Sequence, residues 1–209
     1  MATRISAPHG KMRKEPRQER SRETVEAIVQ ASAHILGRRG WAGLTTNGVA
    51  EAAGVSIGSL YQYFPNKLAL VEAVRRRHFE DVLTALGAAD DAKKSRAQRV
   101  EAVVEGMIGL HSRNPEVHHT LLEETPRSRE SRAAHDEFET EYMRRYEALL
   151  SAGPRAPRFA STSIAAQVVS AAIAGVVHDA ARRGTLASPA LKRELVHMIT
   201  AYLGRLEDD

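Results

Sequence analysis

The chain has 209 residues, of which 43% are hydrophobic and 27% are charged, so it can form one large globular domain or two small ones that share a core. It contains no cysteine, which excludes a disulfide scaffold, a thiol nucleophile and a cysteine zinc site. The net charge of +4 is unevenly distributed: residues 1–85 carry 13 Lys and Arg against 8 Asp and Glu (+5), whereas residues 86–209 carry 17 against 18 (−1). This asymmetry suits an N-terminal domain that approaches a polyanion such as nucleic acid.

Residues 1–20 are a basic segment with six Lys and Arg, two prolines and few apolar side chains. We interpret the segment as a flexible arm, which is either a solvated tail or an arm that follows phosphates or enters a minor groove. It lacks the apolar run of a signal peptide, and no stretch of the chain approaches the uninterrupted apolar length of a membrane span. We therefore expect a cytoplasmic protein without a membrane partner.

The next segment predicts a first helix and the back of a small core. Apolar residues recur at helical spacing from Ser21 to Arg39, and Gly40 ends the helix. Trp41 and Leu44 follow, and we expect them to close the core.

The stretch from Thr45 to Lys67, TTNGVAEAAGVSIGSLYQYFPNK, predicts two short helices joined by a tight turn. Thr45 or Thr46 provides a hydroxyl cap for the first helix. Gly54 enters the left-handed conformation at little cost, and Ser56 caps the second helix. Pro65 then limits that helix to about two turns, because the residue before a proline avoids helical geometry.

The second short helix has an inward and an outward side. Leu60 and Phe64 lie four residues apart and can face the core together. The residues that we expect to face outward or to the flanks are Ile57, Ser59, Gln62 and Tyr63. Two short helices with a glycine turn, the second carrying small and hydrogen-bonding side chains, predict a helix-turn-helix.

The string AEAAGVSIGSLYQYFPNKLAL resembles the DNA-binding signature of TetR-family transcriptional regulators. The shared features are the AGVS turn, Gly58, the Leu60-Tyr61 pair, Phe64 and the Asn66-Lys67 pair that opens the next helix. The resemblance covers about residues 21–81 and is weaker beyond them. Gly48 is a departure, since the family usually carries a polar or charged residue there, and we expect no base or phosphate contact from it.

The resemblance implies two groups of DNA contacts. Hydroxyls, helix N-termini and an ammonium would hold phosphates, from Thr45, Thr46, Tyr61, Tyr63 and Lys67. Small and hydrogen-bonding residues would lie closest to base edges, namely Ser56, Ile57, Gly58, Ser59 and Gln62.

The same turn also fits a different motif, because residues 54–58 spell G-x-S-x-G, the nucleophile elbow of hydrolases. That motif requires a preceding strand, and the residues before Gly54 are alanine-rich and helical. We therefore favour the helix-turn-helix over a hydrolase.

Beyond Pro65 the pattern predicts only helices. A long helix runs from about Asn66 to Leu86, and its Arg75-Arg76-Arg77 run is interpreted as a solvated face, with contact to the DNA backbone as the alternative. Further helices are predicted at about residues 95–112, 129–152, 160–183 and 189–206, with a short one that begins after Asn114-Pro115 and ends at about Glu124. Strand-like alternation is absent. The predicted fold is all-α with about nine helices: a three-helix helix-turn-helix domain at residues 21–81 and a helical regulatory and dimerisation domain at residues 82–209.

The last two helices predict a dimer interface. One has a face rich in small residues, and the other has an apolar seam broader than a single buried side requires. The resemblance likewise implies a homodimer joined through these helices, although both seams can also be used within one chain. The predicted interface residues are Ile164, Val168, Ala172, Leu191, Leu195, Met198 and Tyr202.

The resemblance also implies a ligand cavity among the middle helices. Candidate ligand-binding residues are Met107, His111, His118, Leu122, Phe138, Tyr142 and His178, each of which can equally be plain packing. His119 and Glu123 could form half of a metal site, but no third ligand is identifiable, so we predict no metal, no cofactor and no catalytic residues.

The sequence therefore predicts a DNA-binding regulator, most simply a repressor that binds a palindromic operator as a homodimer and is released by an unknown small-molecule effector. An effector-independent or architectural DNA-binding protein is the alternative. An all-α enzyme comes last, because no acid, base or metal constellation is identifiable.

Overall fold

A computed structural model describes residues 19–113, 115, 117–126, 129–151 and 161–205. Most of the predicted basic arm therefore lies outside the described residues. Every element in the described part is helical, which confirms the all-α prediction. The described residues form nine α-helices, which in chain order are α1 (Glu19–Gly43), α2 (Thr46–Ala52), α3 (Ile57–Tyr63), α4 (Lys67–Ala85), α5 (Arg96–Arg113), α6 (Val117–His119), α7 (Arg129–Leu150), α8 (Thr162–Arg182) and α9 (Pro189–Arg205). A 3₁₀ turn (Leu86–Asp90) precedes α5, and a π-helical turn (Thr120–Glu124) continues α6.

The chain folds into two compact units. Among the described residues, the first unit comprises those up to His78 together with those of 117–132, and the second comprises those of 79–115 and 133–205. Residues 116–132 thus belong structurally to the unit that contains the helix-turn-helix, which the sequence did not predict.

The core of the first unit is built on α1 and closed by the three following helices. Ile28, Leu36, Val49 and Leu60 are fully buried, as is Phe64. The apolar residues whose spacing predicted α1 and the inward face of α3 are therefore buried as expected.

Tyr63 corrects one expectation about α3. Its side chain is only 8% exposed and belongs to the core cluster, so it does not face outward. The reason is helical spacing: Leu60, Tyr63 and Phe64 stand at i, i+3 and i+4 and share one side of the helix.

Residues 116–132 are held in the first unit by a buried arginine. Arg75 is 3% exposed and pairs with Glu72 at 2.6 Å, and it donates hydrogen bonds to Ser131 Oγ and Thr125 Oγ1. The prediction of a solvated Arg75-Arg76-Arg77 run is therefore wrong for Arg75. It holds for the exposed Arg76 and for Arg77, whose pair with Glu26 is about half exposed.

The second unit has a core formed by α5, α8 and α9 with the end of α7. Val100, Val103, Ile173 and Val177 are fully buried there. An aromatic row packs beside them, beginning with Phe79 on α4 and continuing along α7. The ring centroids are 4.2 Å apart for Phe79 and Phe138, 5.4 Å for Phe138 and Tyr142 and 5.0 Å for Tyr142 and Tyr146.

Helix α8 is long and apolar enough to span a membrane by length and composition, a feature that the sequence pattern did not predict. Its Ala166, Ile173 and Val177 are buried in the core of the second unit. A core helix passes the same test as a membrane span, and these residues make α8 a core helix of its unit.

Candidate nucleic-acid interface

The two short helices begin at hydroxyl caps. Thr45 Oγ1 accepts a hydrogen bond from the Gly48 backbone N–H at 3.1 Å, and Ser56 Oγ accepts one from the Ser59 N–H at 3.0 Å. Each cap satisfies a backbone donor that the first turn of a helix leaves without an intrahelical partner. Ser56 is thus a capping residue between two helices, and the strand that a hydrolase elbow requires does not precede it.

The turn between α2 and α3 depends on Gly54. Its φ is +67°, in the left-handed region, and the Val55 N–H donates to the Ala50 carbonyl at 3.0 Å across it. A Cβ at this position would meet no atom within 4 Å, so the requirement for glycine is conformational and not steric.

The outer side of α3 carries the residues that were predicted to approach DNA. Ile57 is 39% exposed and Tyr61 is 40% exposed, and Gly58 and Gln62 are also exposed. These positions stand at i, i+1, i+4 and i+5, which is one face of a helix opposite the buried Leu60. An exposed apolar side chain beside an exposed amide on a short, capped helix is a surface that can contact base edges.

A second group of polar residues lies at the helix starts. The Tyr61 hydroxyl and Thr46 Oγ1 are hydrogen-bonded at 3.1 Å, which ties α3 to the start of α2. Ser56 Oγ and Ser59 Oγ are hydrogen-bonded at 2.8 Å. The Thr46 and Tyr61 hydroxyls can exchange their bond for bonds to phosphate oxygens without reading sequence, whereas the two serine hydroxyls can exchange theirs for bonds to base edges.

Lys67 lies over the ring of Trp41, with its Nζ 3.8 Å from the ring centroid. Partial burial lowers the pKa of the Lys67 ammonium, and the ring face compensates as a cation–π partner. The backbone N–H of Trp41 donates to Glu124 Oε2 at 3.1 Å, so residues 117–126 contact the same tryptophan. Sequence reasoning placed Trp41 in the core but missed both contacts.

The structure divides the predicted ligand residues between the two units. Met107 and His111 are buried in the second unit, where Phe138 and Tyr142 pack against the core and His178 is half-buried. His118 belongs to the first unit, and its Nδ1 lies 2.8 Å from His78 Nε2.

Two predicted residues have side chains outside the described part of the chain, namely Leu122 and Glu123, the expected partner of His119. A cavity of about 210 Å³ in the second unit is lined by Arg96, Val100 and Leu203 among others, and by none of the predicted ligand residues.

The predicted dimer residues are partly exposed. Ile164 and Val168 on α8 are 62% and 49% exposed, and Met198 and Tyr202 on α9 are 46% and 37% exposed. Ala172 and Leu191 are half-buried. Leu195 corrects the prediction, because it is 3% exposed within its own unit and so does not lie on this surface. It faces the core because the seam of α9 is divided, with Leu195, Ile199 and Leu203 inward.

The fold and the capped, outward-facing α3 define a helix-turn-helix DNA-binding protein. Residues 28–74 match the family described as "Bacterial regulatory proteins, tetR family", and residues 96–203 match the "Tetracyclin repressor-like, C-terminal domain". The chain belongs to the TetR family of transcriptional regulators.

The chain is similar to several known proteins, of which two curated relatives and one solved structure are described. The nucleoid occlusion factor SlmA of Haemophilus ducreyi is 30% identical over 113 residues, which are 54% of each chain. The transcriptional repressor KstR of Mycolicibacterium smegmatis is 32% identical over 105 residues, which are 46% of this chain and 48% of that one. The chain spans about half the length of the curated relatives it matches.

Among solved structures, the regulator FadR of Bacillus subtilis in complex with stearoyl-CoA aligns with a TM-score of 0.68 at 17% identity, covering 83% of this chain and 96% of that one. At this identity the likeness shows the fold. The family, KstR and FadR are transcriptional regulators, so a DNA-binding regulator is favoured over an enzyme.

Proposed function

We propose that this protein is a transcriptional repressor that binds a palindromic operator as a homodimer and is released by a small-molecule effector. The observation that carries the proposal is the outer face of α3, where Ile57, Tyr61 and Gln62 are exposed on a helix that is capped at Ser56 and fixed by the buried Leu60. A rigid, solvent-facing short helix of this kind fits the major groove.

The residues of this face have separate roles in the proposal. Ile57 contacts a thymine methyl, Ser59 bonds a base edge and Gln62 bonds adenine. Thr46, Tyr61 and Lys67 hold phosphates, with Thr45 at the same helix start, and so set the register without reading sequence. Tyr63, which was also predicted to hold a phosphate, is only 8% exposed and is left out of these roles.

The homodimer follows from the reach of one reading helix. A helix of seven residues contacts few base edges, so useful specificity needs a second copy related by a two-fold axis. The exposed apolar residues of α8 and α9, Ile164, Val168, Met198 and Tyr202, supply a surface for that contact. The two half-sites would lie about 34–36 Å apart, or a multiple of that distance.

The decisive experiment is selection and sequencing of the DNA fragments that the purified protein retains, followed by measurement of affinity for the selected site. We expect a palindrome, and Gln62→Ala should relax preference at one base position by about 1–3 kcal/mol. Gln30→Ala, at an exposed position of α1, is the matched control and should leave the preference unchanged. Retention of random fragments, or an unaltered preference in Gln62→Ala, would refute the assigned reading face.

Repression and the binding of an effector are each supported by one similar protein. KstR is named a repressor, and FadR was solved with stearoyl-CoA bound. We therefore propose an apolar or acyl-bearing small molecule as the first class to test, in the cytoplasm where the operator DNA lies. A compound that raises the melting temperature of the protein and also weakens operator binding is the expected result.

An effector-independent or architectural DNA-binding protein is the second candidate, and the similarity to SlmA, a nucleoid occlusion factor, favours it. It predicts retention of many dispersed sites and an operator affinity that no stabilising ligand changes. Ligands that shift stability and leave DNA affinity constant would support this candidate over the repressor.

A further inference from the structure

Two imidazoles of the second unit face each other through corresponding nitrogens. His111 on α5 and His178 on α8 place their Nε2 atoms 3.0 Å apart, with ring centroids at 4.7 Å and an angle of 61° between the rings. His111 is 2% exposed, whereas His178 is half-buried and so lies nearer the solvent. The DNA-binding role uses neither residue.

The other nitrogen of His111 fixes its tautomer. His111 Nδ1 lies 2.8 Å from the Met107 carbonyl oxygen, and because a carbonyl only accepts, Nδ1 carries the proton. In a neutral ring this leaves the lone pair on Nε2, the atom that faces His178. Burial in the core disfavours the charged ring and lowers the pKa of His111.

This arrangement is the one commonly found around histidines that bind metal ions. A ligating imidazole typically donates its distal N–H to a backbone carbonyl, which orients the ring and makes the ligating nitrogen more basic. His111 has that donor-acceptor pair already, and a second imidazole nitrogen stands opposite its lone pair.

We propose that His111 and His178 bind a divalent transition-metal ion through their Nε2 atoms. Zinc–nitrogen bonds of about 2.0–2.1 Å in a tetrahedral site place two ligand nitrogens roughly 3.3 Å apart, so the observed pair needs to open by only a few tenths of an ångström. His178 would hold its proton on Nδ1 in that state. The remaining coordination positions would be taken by water or by a donor atom of another ligand, and an imidazole site of this type prefers Zn²⁺, Ni²⁺ or Cu²⁺ over Mg²⁺ or Ca²⁺.

A hydrogen bond between two neutral imidazoles is the competing explanation of the 3.0 Å separation. It requires the His178 proton on Nε2 and gives the pair no affinity for metal. Metal titration separates the two explanations.

The test is equilibrium dialysis of the metal-free full chain against Zn²⁺, repeated with Mg²⁺. We expect one Zn²⁺ per chain at this pair, at least a tenfold weaker affinity in His178→Gln, and no comparable binding of Mg²⁺. His197→Gln, an exposed position on α9 in the same unit, is the matched control and should bind like the parent chain. Copper-loaded protein should show two coordinating nitrogens by electron paramagnetic resonance, and one fewer in His178→Gln.

Folding of the His178→Gln variant is checked by circular dichroism. His178 is substituted, and not His111, because substitution of the buried His111 brings a greater risk of unfolding. The first unit has its own imidazole pair, His78 and His118, so His118→Gln is measured in parallel. Absence of Zn²⁺ binding, or Zn²⁺ binding in His178→Gln that equals the parent chain, would overturn the proposal. The measurement uses no DNA, so its failure leaves the proposed repressor function untouched.

Discussion

Replacement of Arg75 by methionine is the sharpest test of how the DNA-binding unit is assembled. Arg75 lies on α4 at 3% exposure, and its guanidinium bonds the Glu72 carboxylate, Ser131 Oγ and Thr125 Oγ1. It therefore joins α4 to residues 116–132, which are distant in sequence. Methionine has a similar length, so Arg75→Met removes the charge and the hydrogen bonds with little change of volume.

The loss of unfolding free energy in Arg75→Met depends on the partners that the substitution leaves without the guanidinium. Breaking a buried ion pair by removing one member costs about 3–5 kcal/mol, because the remaining charge is desolvated without compensation. Thr125 Oγ1 keeps a partner, since it also donates to the Leu121 carbonyl at 2.7 Å, and Glu72 retains 13% exposure of its side chain. We therefore expect the lower end of the range, a decrease of about 3 kcal/mol in the unfolding free energy of the first unit.

The assay is unfolding in urea, monitored by tryptophan fluorescence. Trp41 is the chain's one tryptophan and belongs to the first unit, so its emission reports this unit. Arg76→Met is the matched control, because Arg76 is the exposed neighbour, and it should change the free energy by no more than about 0.5 kcal/mol. Equal decreases in Arg75→Met and Arg76→Met would refute the reasoning, as would an unchanged midpoint in Arg75→Met.

Further substitutions test three other parts of the molecule. Lys67→Gln should weaken binding to all DNA sequences alike, and it should reduce the slope of log affinity against log salt concentration by about one for each phosphate that is no longer neutralised. Trp41→Leu should weaken DNA binding only while Lys67 is present, because the Trp41 ring positions the Lys67 ammonium. Additive effects of the two substitutions in a double-mutant cycle would contradict that positioning. Val168→Glu, at a 49% exposed position, should give a folded monomer by sedimentation, and an unchanged dimer would count against the α8 surface. Gly40→Ala should cost about 1–3 kcal/mol, because the backbone at φ +64° and ψ −175° is a conformation that essentially only glycine adopts. The new Cβ would also lie 2.7 Å from a Glu124 side-chain oxygen, which would have to move. Gly109→Ala, which has open space on a helix, should not destabilise the chain, and equal effects in thermal denaturation would refute the distinction.

The sequence predicted the elements well where the signal is local. The hydroxyl caps at Thr45 and Ser56 and the left-handed Gly54 appear where the pattern required them, because each depends on residues within one helical turn. The apolar spacing also located the helices correctly. Tyr63 shows the limit of this reasoning: it was assigned outward or to the flank once Leu60 and Phe64 were placed inward, whereas its position three residues from Leu60 puts its side chain in the core.

The same limit applies to surfaces shared by several helices. The apolar seam of α9 was correctly identified, but periodicity alone could not divide it between the core and the outside. The structure buries Leu195 and exposes Met198 and Tyr202, and only the neighbouring helices decide which side is which. A test of dimerisation that introduces a charge therefore belongs on the exposed positions, since a charge at the buried Leu195 would unfold the unit instead.

The contacts between distant segments could not be predicted from the sequence at all. Arg75 stands in a run of three arginines, which is ordinarily a solvated face, and nothing near it in the sequence indicates Ser131 or Thr125 as partners. The same segment reaches the start of α4 through Glu124, whose carboxylate accepts from the Trp41 N–H while the Trp41 ring lies beneath Lys67. One hydrogen bond and one cation–π contact thus separate residues 117–126 from the lysine that we propose to hold a phosphate. The DNA-reading unit is therefore defined by packing and not by chain order, and variants of Glu124 belong with those of Lys67 in any study of operator affinity.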